Sequence, residues 1–159
     1  MRVRGGVYPI GKRASHTDCQ GDATERSDYA GDLLDGGGPP PGPVTIEVVS
    51  ASAAVVTLGG EHDVASRDAI AEAFGVAATG RDLLIDLSDC SFIDSTIIKL
   101  LLRTMRSLED RDGRLELVID SAGSGHVARV AELMGIADVI TTHPTRSDGI
   151  RSLASGRAF

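Results

Sequence analysis

The chain has 159 residues and a formal net charge of −7 at pH 7. This acidic balance argues against a surface for nucleic acid or for an anionic membrane, and it favours a protein or a small molecule as the partner. Two cysteines, Cys19 and Cys90, supply neither a disulfide framework nor the ligand spacing of a metal site.

The start of the chain and its apolar stretches bear on location. The basic opening, MRVRGGVYPIGKR, lacks the apolar region of a signal peptide. Lys99 interrupts the longest apolar stretch well before it reaches the roughly 20 residues that cross a bilayer. Because the cysteine use also fits a reducing compartment, we expect a cytoplasmic protein with no membrane association.

The composition changes sharply near Val44. Residues 1–43 hold five of the six prolines and nine of the 19 glycines, with few apolar residues between them. Such a segment buries too little surface to offset the entropy of ordering it. We expect a disordered Gly/Pro-rich tail and linker over residues 1–43, ending in DGGGPPPGP, and one folded domain over residues 44–159.

The first half of this domain alternates strands with a helix. Residues 44–49 and 53–58 are short β-branched stretches that predict a closely spaced strand pair. A helix is predicted from about Val64, with Asp63 as its cap. Its expected buried face comprises Val64, Ile70, Ala73 and Phe74. Residues 82–87, DLLIDL, have the continuous apolar character of a buried strand.

The second half continues the alternation. A helix is predicted over residues 95–112, ended by Gly113. Its apolar stripe comprises Ile98, Leu101, Leu102, Met105 and Leu108, at the spacing of a helix packed on a sheet. Further predicted elements are a strand at 115–119, a helix at 124–135, a strand at 138–142 and a short helix at 147–154. This order predicts an α/β fold with a largely parallel sheet.

Patterns typical of enzymes are weak in this chain. GSGHVA, residues 123–128, resembles a dinucleotide-binding turn, but the next strand ends without an acidic residue for a ribose. Ser95 lacks the G-x-S-x-G surroundings of a hydrolase nucleophile. Asp86 lacks the acidic pair of a phospho-acceptor site and is expected to be a structural carboxylate. The histidines are scattered, so solvated loop positions are expected, and we expect no enzymatic activity, cofactor or metal site.

One stretch, CSFIDSTIIKLLL at residues 90–102, places an acid and two hydroxyls where an apolar strand meets an apolar helix. Asp94 and Ser95 are ordinary helix-capping residues. A hydroxyl at a helix start is also a favourable place for a phosphate, because backbone N–H groups and the helix dipole stabilise the added charge. Both interpretations stay open here. Leu100, opposite the apolar stripe, is expected to be exposed in a protein-binding face with Thr96 and Lys99.

Three stretches resemble the successive signatures of a STAS domain of the anti-sigma factor antagonist group. They are GEHDVASRDAIAEAF, DLLIDLSDCSFIDSTIIKLLLRTMRSLEDRDGRLELVI and VARVAELMGIADVI, within residues 44–153. The block DLSDCSFIDS is the most specific. The resemblance implies the STAS fold, a mixed, mostly parallel sheet of four to five strands flanked by about four helices.

The resemblance also implies a function. Proteins of this group bind an anti-sigma factor that is also a serine kinase, and the kinase modifies the serine at the start of the second helix. Carried over, the phosphorylation target is Ser95, with Thr96 as the alternative, and a phosphatase resets the switch. The implied protein is a monomer or weak dimer. The expected partner-binding residues are Glu61, Asp63, Asp94, Ser95, Thr96, Ile97, Lys99 and Leu100.

The chain departs from the family pattern at this site. The pattern continues Asp-Ser-Ser-Gly-Leu-Gly, whereas here Thr96 replaces the second serine, and Ile97 and Lys99 replace both glycines. Added bulk and charge are expected to change which partner docks and to hinder a kinase that needs close backbone approach. The alternative function is therefore a STAS scaffold or sensor subunit of a signalling complex that is not phosphorylated.

Overall fold

The computed structural model describes residues 40–80, 82–120 and 125–156. The strands are β1 Val44–Ser50, β2 Ala53–Leu58, β3 Gly60–His62, β4 Asp82–Asp86, β5 Cys90–Ile93, β6 Leu115–Val118 and β7 Thr141–His143. The helices are α1 Arg67–Ala77, α2 Ser95–Glu109, α3 Gly125–Leu133 and α4 Arg146–Ser155, with a 3-10 turn at Ile136–Asp138. Residues 1–39 lie outside the described residues, so the expected disorder of the tail stays a prediction.

Five of these strands form the main sheet in the order β1-β2-β4-β6-β7. β1 pairs with β2 antiparallel, and each of the other neighbours is parallel. The short strands β3 and β5 form a separate parallel pair. Together with the four helices, this confirms the prediction of an α/β fold with a mixed, mostly parallel sheet.

The central strand β4 is buried on both faces of the sheet, which explains its continuous apolar sequence. Successive side chains of a strand point to opposite faces of a sheet. Leu83 and Ile85 accordingly enter the larger core, which residues of α1, α2 and α3 complete. Leu84 points to the other face, where it packs with Leu153 of α4. Because helices cover both faces, every residue of β4 is buried.

The predicted start of α1 is wrong. The helix begins at Arg67 instead of Val64, and Val64 is 66% exposed instead of buried. The cause is a local turn. The Asp63 carboxylate accepts a hydrogen bond from the backbone N–H of Ala65 at 2.8 Å, and the N–H of Ser66 bonds to the Asp63 carbonyl at 3.1 Å. An aspartate that bonds two residues ahead favours a turn over a helix cap.

Two further boundaries differ from the prediction. The expected strand at 138–142 lies instead at Thr141–His143, because the chain turns through the 3-10 segment first and Val139 is 55% exposed. α2 ends at Glu109, and Asp112 takes a left-handed backbone conformation with φ 56°. The N–H of Gly113 then bonds to the Leu108 carbonyl at 2.8 Å. The strand pair β3 and β5 positions the candidate functional site.

Candidate functional site

The pairing of β3 with β5 brings together residues that are about 30 positions apart in the chain. Glu61 lies opposite Phe92, and His62 lies opposite Ile93. Both strands run in the same direction, so Asp63 and Asp94 follow directly at the same end. Glu61 and Asp63 are exposed, and Asp94 is half-buried. The predicted partner-binding acids therefore lie at one edge of the domain, beside the start of α2.

Asp94 is the N-cap of α2. Its backbone is extended, with φ −98° and ψ 175°. Its carboxylate oxygen Oδ1 accepts hydrogen bonds from the N–H of Thr96 at 2.8 Å and from the N–H of Ile97 at 3.0 Å. Two of the N–H groups that every helix start leaves unpaired are thus satisfied by one side chain. The capping role belongs to Asp94 and not to Ser95.

Ser95 is the first residue of α2, and its side chain is exposed. Its hydroxyl makes no hydrogen bond to any described residue. Thr96 is half-buried, so Ser95 presents the more accessible hydroxyl of the two. Because Asp94 already caps the helix, the Ser95 hydroxyl is not needed for capping and stabilises no contact among the described residues.

The prediction that Leu100 is exposed is wrong. Leu100 is only 9% exposed and Ile97 is fully buried, and both belong to the main core. The cause is that α2 packs against α1 as well as against β5 and β6, so its buried side is wider than one apolar stripe. Both side chains are therefore removed from the predicted partner surface. Of the two residues that replace glycines of the family pattern, Ile97 lies in the core and Lys99 is exposed.

The exposed side of α2 is basic. Lys99, Arg103 and Arg106 are exposed and recur at intervals of four and three residues, which aligns them along one side of the helix with Ser95. None of the three makes an ion pair within the described ranges. We call these three residues the basic face of α2. It starts one turn from Ser95.

An aromatic contact next to the site was not predicted. The rings of Phe92 and His126 stack with centroids 4.7 Å apart and planes 19° apart. Phe92 is 37% exposed although it lies between the buried Cys90 and Ile93. This ring contact connects the start of α3 to β5, the strand that pairs with β3. A large apolar residue on the polar edge of a two-stranded sheet extends the candidate surface beyond the predicted residues.

His62 is buried, in contrast to the expected solvated position. It is 1% exposed, and neither ring nitrogen has a hydrogen-bond partner among the described residues. Burial lowers the pKa of His62 below its usual value of 6.5, while the Gly59 backbone and the Asp63 charge oppose this shift. The ring is therefore held neutral at pH 7, one residue before the exposed Asp63.

His143 and Asp86 have structural contacts on the α4 side of the sheet. The His143 ring nitrogen Nε2 lies 2.7 Å from Oε2 of Glu116, so the expected solvated loop position is wrong for this residue as well. The Asp86 carboxylate accepts hydrogen bonds from the N–H of Ser88 at 3.0 Å and from its hydroxyl at 2.6 Å. Asp86 also lies 3.4 Å from Arg146 at the start of α4. Asp86 therefore holds both the start of α4 and the loop after β4, as expected of a structural carboxylate.

Cys90 lies at the start of β5. Burial raises the pKa of the Cys90 thiol to about 11, and the thiol donates a hydrogen bond to the Phe92 carbonyl at 3.3 Å. A thiol of this kind is unreactive at neutral pH. Within residues 40–80, 82–120 and 125–156, no group of acids, histidines and cysteines has the arrangement of a metal site. No helix in these ranges has the length and apolarity to cross a bilayer.

Comparisons with known proteins identify the domain. Residues 45–149 match the family model of the STAS domain. The fold is similar to that of an anti-sigma factor antagonist from Mycobacterium paratuberculosis, with 24% identity and a TM-score of 0.64 over 74% of this chain and 98% of that one. No curated protein matches the chain.

The anti-sigma factor antagonist SpoIIAA is also similar in fold and has been solved in two forms. Its unphosphorylated form matches with 24% identity and a TM-score of 0.60, covering 70% of this chain and 96% of that one. The phosphorylated form of SpoIIAA, from Bacillus, matches with 24% identity and a TM-score of 0.55, covering 69% and 97%. At these identities the likeness shows a shared fold.

Proposed function

The chain belongs to the STAS domain family, and from that premise we propose that it is an anti-sigma factor antagonist. In this proposal the domain is a binding module and not an enzyme, and it works in the cytoplasm as a monomer or weak dimer. The edge formed by Glu61, Asp63, Asp94 and Ser95 captures an anti-sigma factor. Capture frees the sigma factor that the anti-sigma factor would otherwise hold.

The observation that carries the proposal is that two adjacent side chains have different roles at the start of α2. Asp94 caps the helix with two hydrogen bonds, while the neighbouring Ser95 hydroxyl is exposed and unpaired among the described residues. A serine needed only for capping would have its hydroxyl on the backbone N–H groups. Ser95 is instead available to a partner or to a modifying enzyme.

We propose further that the anti-sigma factor is a serine kinase and that Ser95 is its target. Phosphorylation adds about −1.5 to −2 charges at neutral pH. The N–H groups of Thr96 and Ile97, which would otherwise stabilise a phosphate, already bond to Asp94. The added charge therefore lies beside the Asp94 carboxylate and opposes docking through repulsion and desolvation. A phosphatase resets the site.

In this chain the proposed switch includes Lys99, which stands where the family pattern has glycine. It is exposed and lies four residues after Ser95, the spacing at which side chains on a helix meet. A phosphate on Ser95 would be within reach of this ammonium group. We infer that Lys99 contributes to the choice of partner, while the half-buried Thr96 is the less accessible target.

Lys99 also favours the second candidate function, a STAS scaffold or sensor subunit without phosphorylation. A long charged side chain at a position where the family has glycine occupies space that a kinase would need near the helix backbone. In this case the same surface binds other proteins of a signalling complex, and Ser95 is a plain contact residue.

Charge variants at two helix starts test the proposal. Ser95→Asp mimics part of the added charge and is expected to weaken affinity for a candidate anti-sigma factor, whereas Ser95→Ala is expected to bind like the parent. Ser147→Asp is the matched control, because Ser147 is exposed in the first turn of α4, which packs on the opposite face of the sheet. Affinity is measured by titration calorimetry, and melting temperature on the same samples.

The outcomes separate the functions. A loss of affinity in Ser95→Asp, with the control and all melting temperatures unchanged, supports the switch. Equal affinity in the parent, Ser95→Asp and Ser147→Asp contradicts the switch and favours the scaffold. No binding of the parent to any candidate anti-sigma factor contradicts the proposed function itself.

A further inference from the structure

The basic face of α2 is unusual in an acidic chain. The chain has a net charge of −7, yet Lys99, Arg103 and Arg106 are exposed on one side of one helix without an ion-pair partner among the described residues. Aligned cations of this kind attract an acidic segment over a distance of about one Debye length. An acidic segment of this chain is available for such a contact.

The sequence before the domain contains one. Residues 18–35, DCQGDATERSDYAGDLLD, carry six acidic residues against a single base, Arg26, which gives a net charge of −5. The acids recur at intervals of three or four residues. The segment and the basic face are therefore complementary in charge. We call residues 18–35 the acidic segment.

The place where the chain enters the domain puts this segment within reach. The N–H of Gly42 donates a hydrogen bond to the Glu61 carbonyl at 3.1 Å, and Gly42 lies so close to the Gly59 carbonyl that no side chain would fit. Glu61 lies opposite Phe92, which precedes Ser95 by three residues, or about 10 Å of strand. The chain therefore enters the domain on β3, whose partner strand β5 leads into α2.

The distances agree with this geometry. Six residues, 36–41, separate the acidic segment from Gly42 and span up to about 20 Å when extended. The basic face covers about 10 Å of helix between Lys99 and Arg106. A segment tethered at this range has an effective concentration of the order of millimolar. At that effective concentration a contact within one chain is favoured over the same contact between chains at micromolar concentration.

We propose that the acidic segment binds the basic face of α2 in the same molecule and competes there with partner docking. The binding is electrostatic and weakens with salt. A phosphate on Ser95 would compete for Lys99 and repel the acidic segment. That the contact regulates docking rests on the function proposed above, whereas the contact itself does not depend on that function and is tested without a partner.

The two lysines of the chain make a direct test available. Zero-length carbodiimide coupling joins a carboxylate to a lysine amine, and Lys12 and Lys99 are the only lysines in the sequence. An equal mixture of unlabelled and ¹⁵N-labelled 159-residue chains is treated with the carbodiimide, and crosslinked peptides are mapped by mass spectrometry. The isotope pattern separates crosslinks within one chain from crosslinks between chains.

The expected product joins Lys99 to an acid of residues 18–35 within one chain, in low salt. Arg103→Glu/Arg106→Glu keeps Lys99 but reverses the rest of the basic face, so the yield should fall by about fivefold or more. The control, Arg129→Glu/Arg151→Glu, makes the same charge change at exposed positions of α3 and α4 and should leave the yield unchanged. Amine labelling of Lys99 in all variants verifies its reactivity.

Three results would overturn the proposal. The first is coupling of the acidic segment to Lys12 with none to Lys99, which places its partner within the segment that precedes the domain. The second is a Lys99 crosslink found only between chains, which assigns the basic face to a second copy. The third is an equal fall of yield in both double variants, which shows an effect of net charge and not of this face.

Discussion

Replacing the cap of α2 separates the roles of two adjacent side chains. Asp94→Ala removes the carboxylate that accepts hydrogen bonds from Thr96 and Ile97. Loss of an N-cap costs about 0.5–2 kcal/mol, and the upper half of this range applies because one side chain serves two N–H groups. The favourable charge at the helix start, worth about 0.3–1 kcal/mol, is lost as well. We expect a total loss near 2 kcal/mol.

Ser95→Ala is the matched comparison. The Ser95 side chain is exposed and its hydroxyl bonds to no described residue, so its removal should cost less than about 0.5 kcal/mol. Asp94→Asn keeps an oxygen acceptor and should lie between the two. Urea unfolding followed by circular dichroism measures all three. In a domain of this size, 2 kcal/mol corresponds to a fall of roughly 8 °C in melting temperature.

The order of the two costs decides the interpretation. If Ser95→Ala destabilises the domain as much as Asp94→Ala does, the hydroxyl is the cap and is not available for docking or modification. The observation that carries the proposed function would then be lost. If Asp94→Ala costs nothing, the assigned cap geometry is wrong.

Burial leads to three further predictions. Because the pKa of His62 is lowered in the folded state, the unfolded chain binds a proton there more readily, and the free energy of unfolding should decline as the pH falls below 6.5. His62→Phe should reduce this pH dependence, measured by urea unfolding at pH 7.5 and 5.5. An unchanged pH dependence would refute the lowered pKa of His62. Leu100→Ala should cost about 2–5 kcal/mol and Lys99→Ala less than about 0.5 kcal/mol, and similar values would show that Leu100 is not in the core. Cys90, buried and with its pKa raised to about 11, should resist iodoacetamide in the native protein at pH 8 and react on unfolding, as peptide mass mapping checks; rapid native labelling would contradict its burial.

The sequence predicted the main sheet well because burial on both faces leaves a strong signal. A continuous apolar stretch such as residues 82–87 has few alternatives to a covered central strand. The apolar stripe of α2 likewise predicted which side of the helix meets the sheet. These elements depend on periodicity, which a single sequence contains.

The errors arise where a tertiary contact or a local turn outweighs periodicity. Leu100 lies off the apolar stripe, yet it is buried in the main core, because α2 packs against α1 as well as against strands. Asp63 had the residue type of a cap but bonds within a turn. The three residues of β3 are too few for a strand pattern, although their pairing with β5 builds the candidate site. A second helix or strand partner cannot be found from one segment's own pattern.

Phosphate mapping tests the central claim most directly. The 159-residue chain is incubated with a candidate anti-sigma factor kinase and ATP, and the phosphorylated residue is located by mass spectrometry, with Ser95→Ala and Thr96→Ala as matched variants. The account predicts one phosphate on Ser95, none in Ser95→Ala, an unchanged yield in Thr96→Ala, and weaker binding of the phosphorylated protein to the kinase. A kinase that binds the protein tightly and leaves Ser95 unmodified, or one that modifies Thr96 instead, would contradict it.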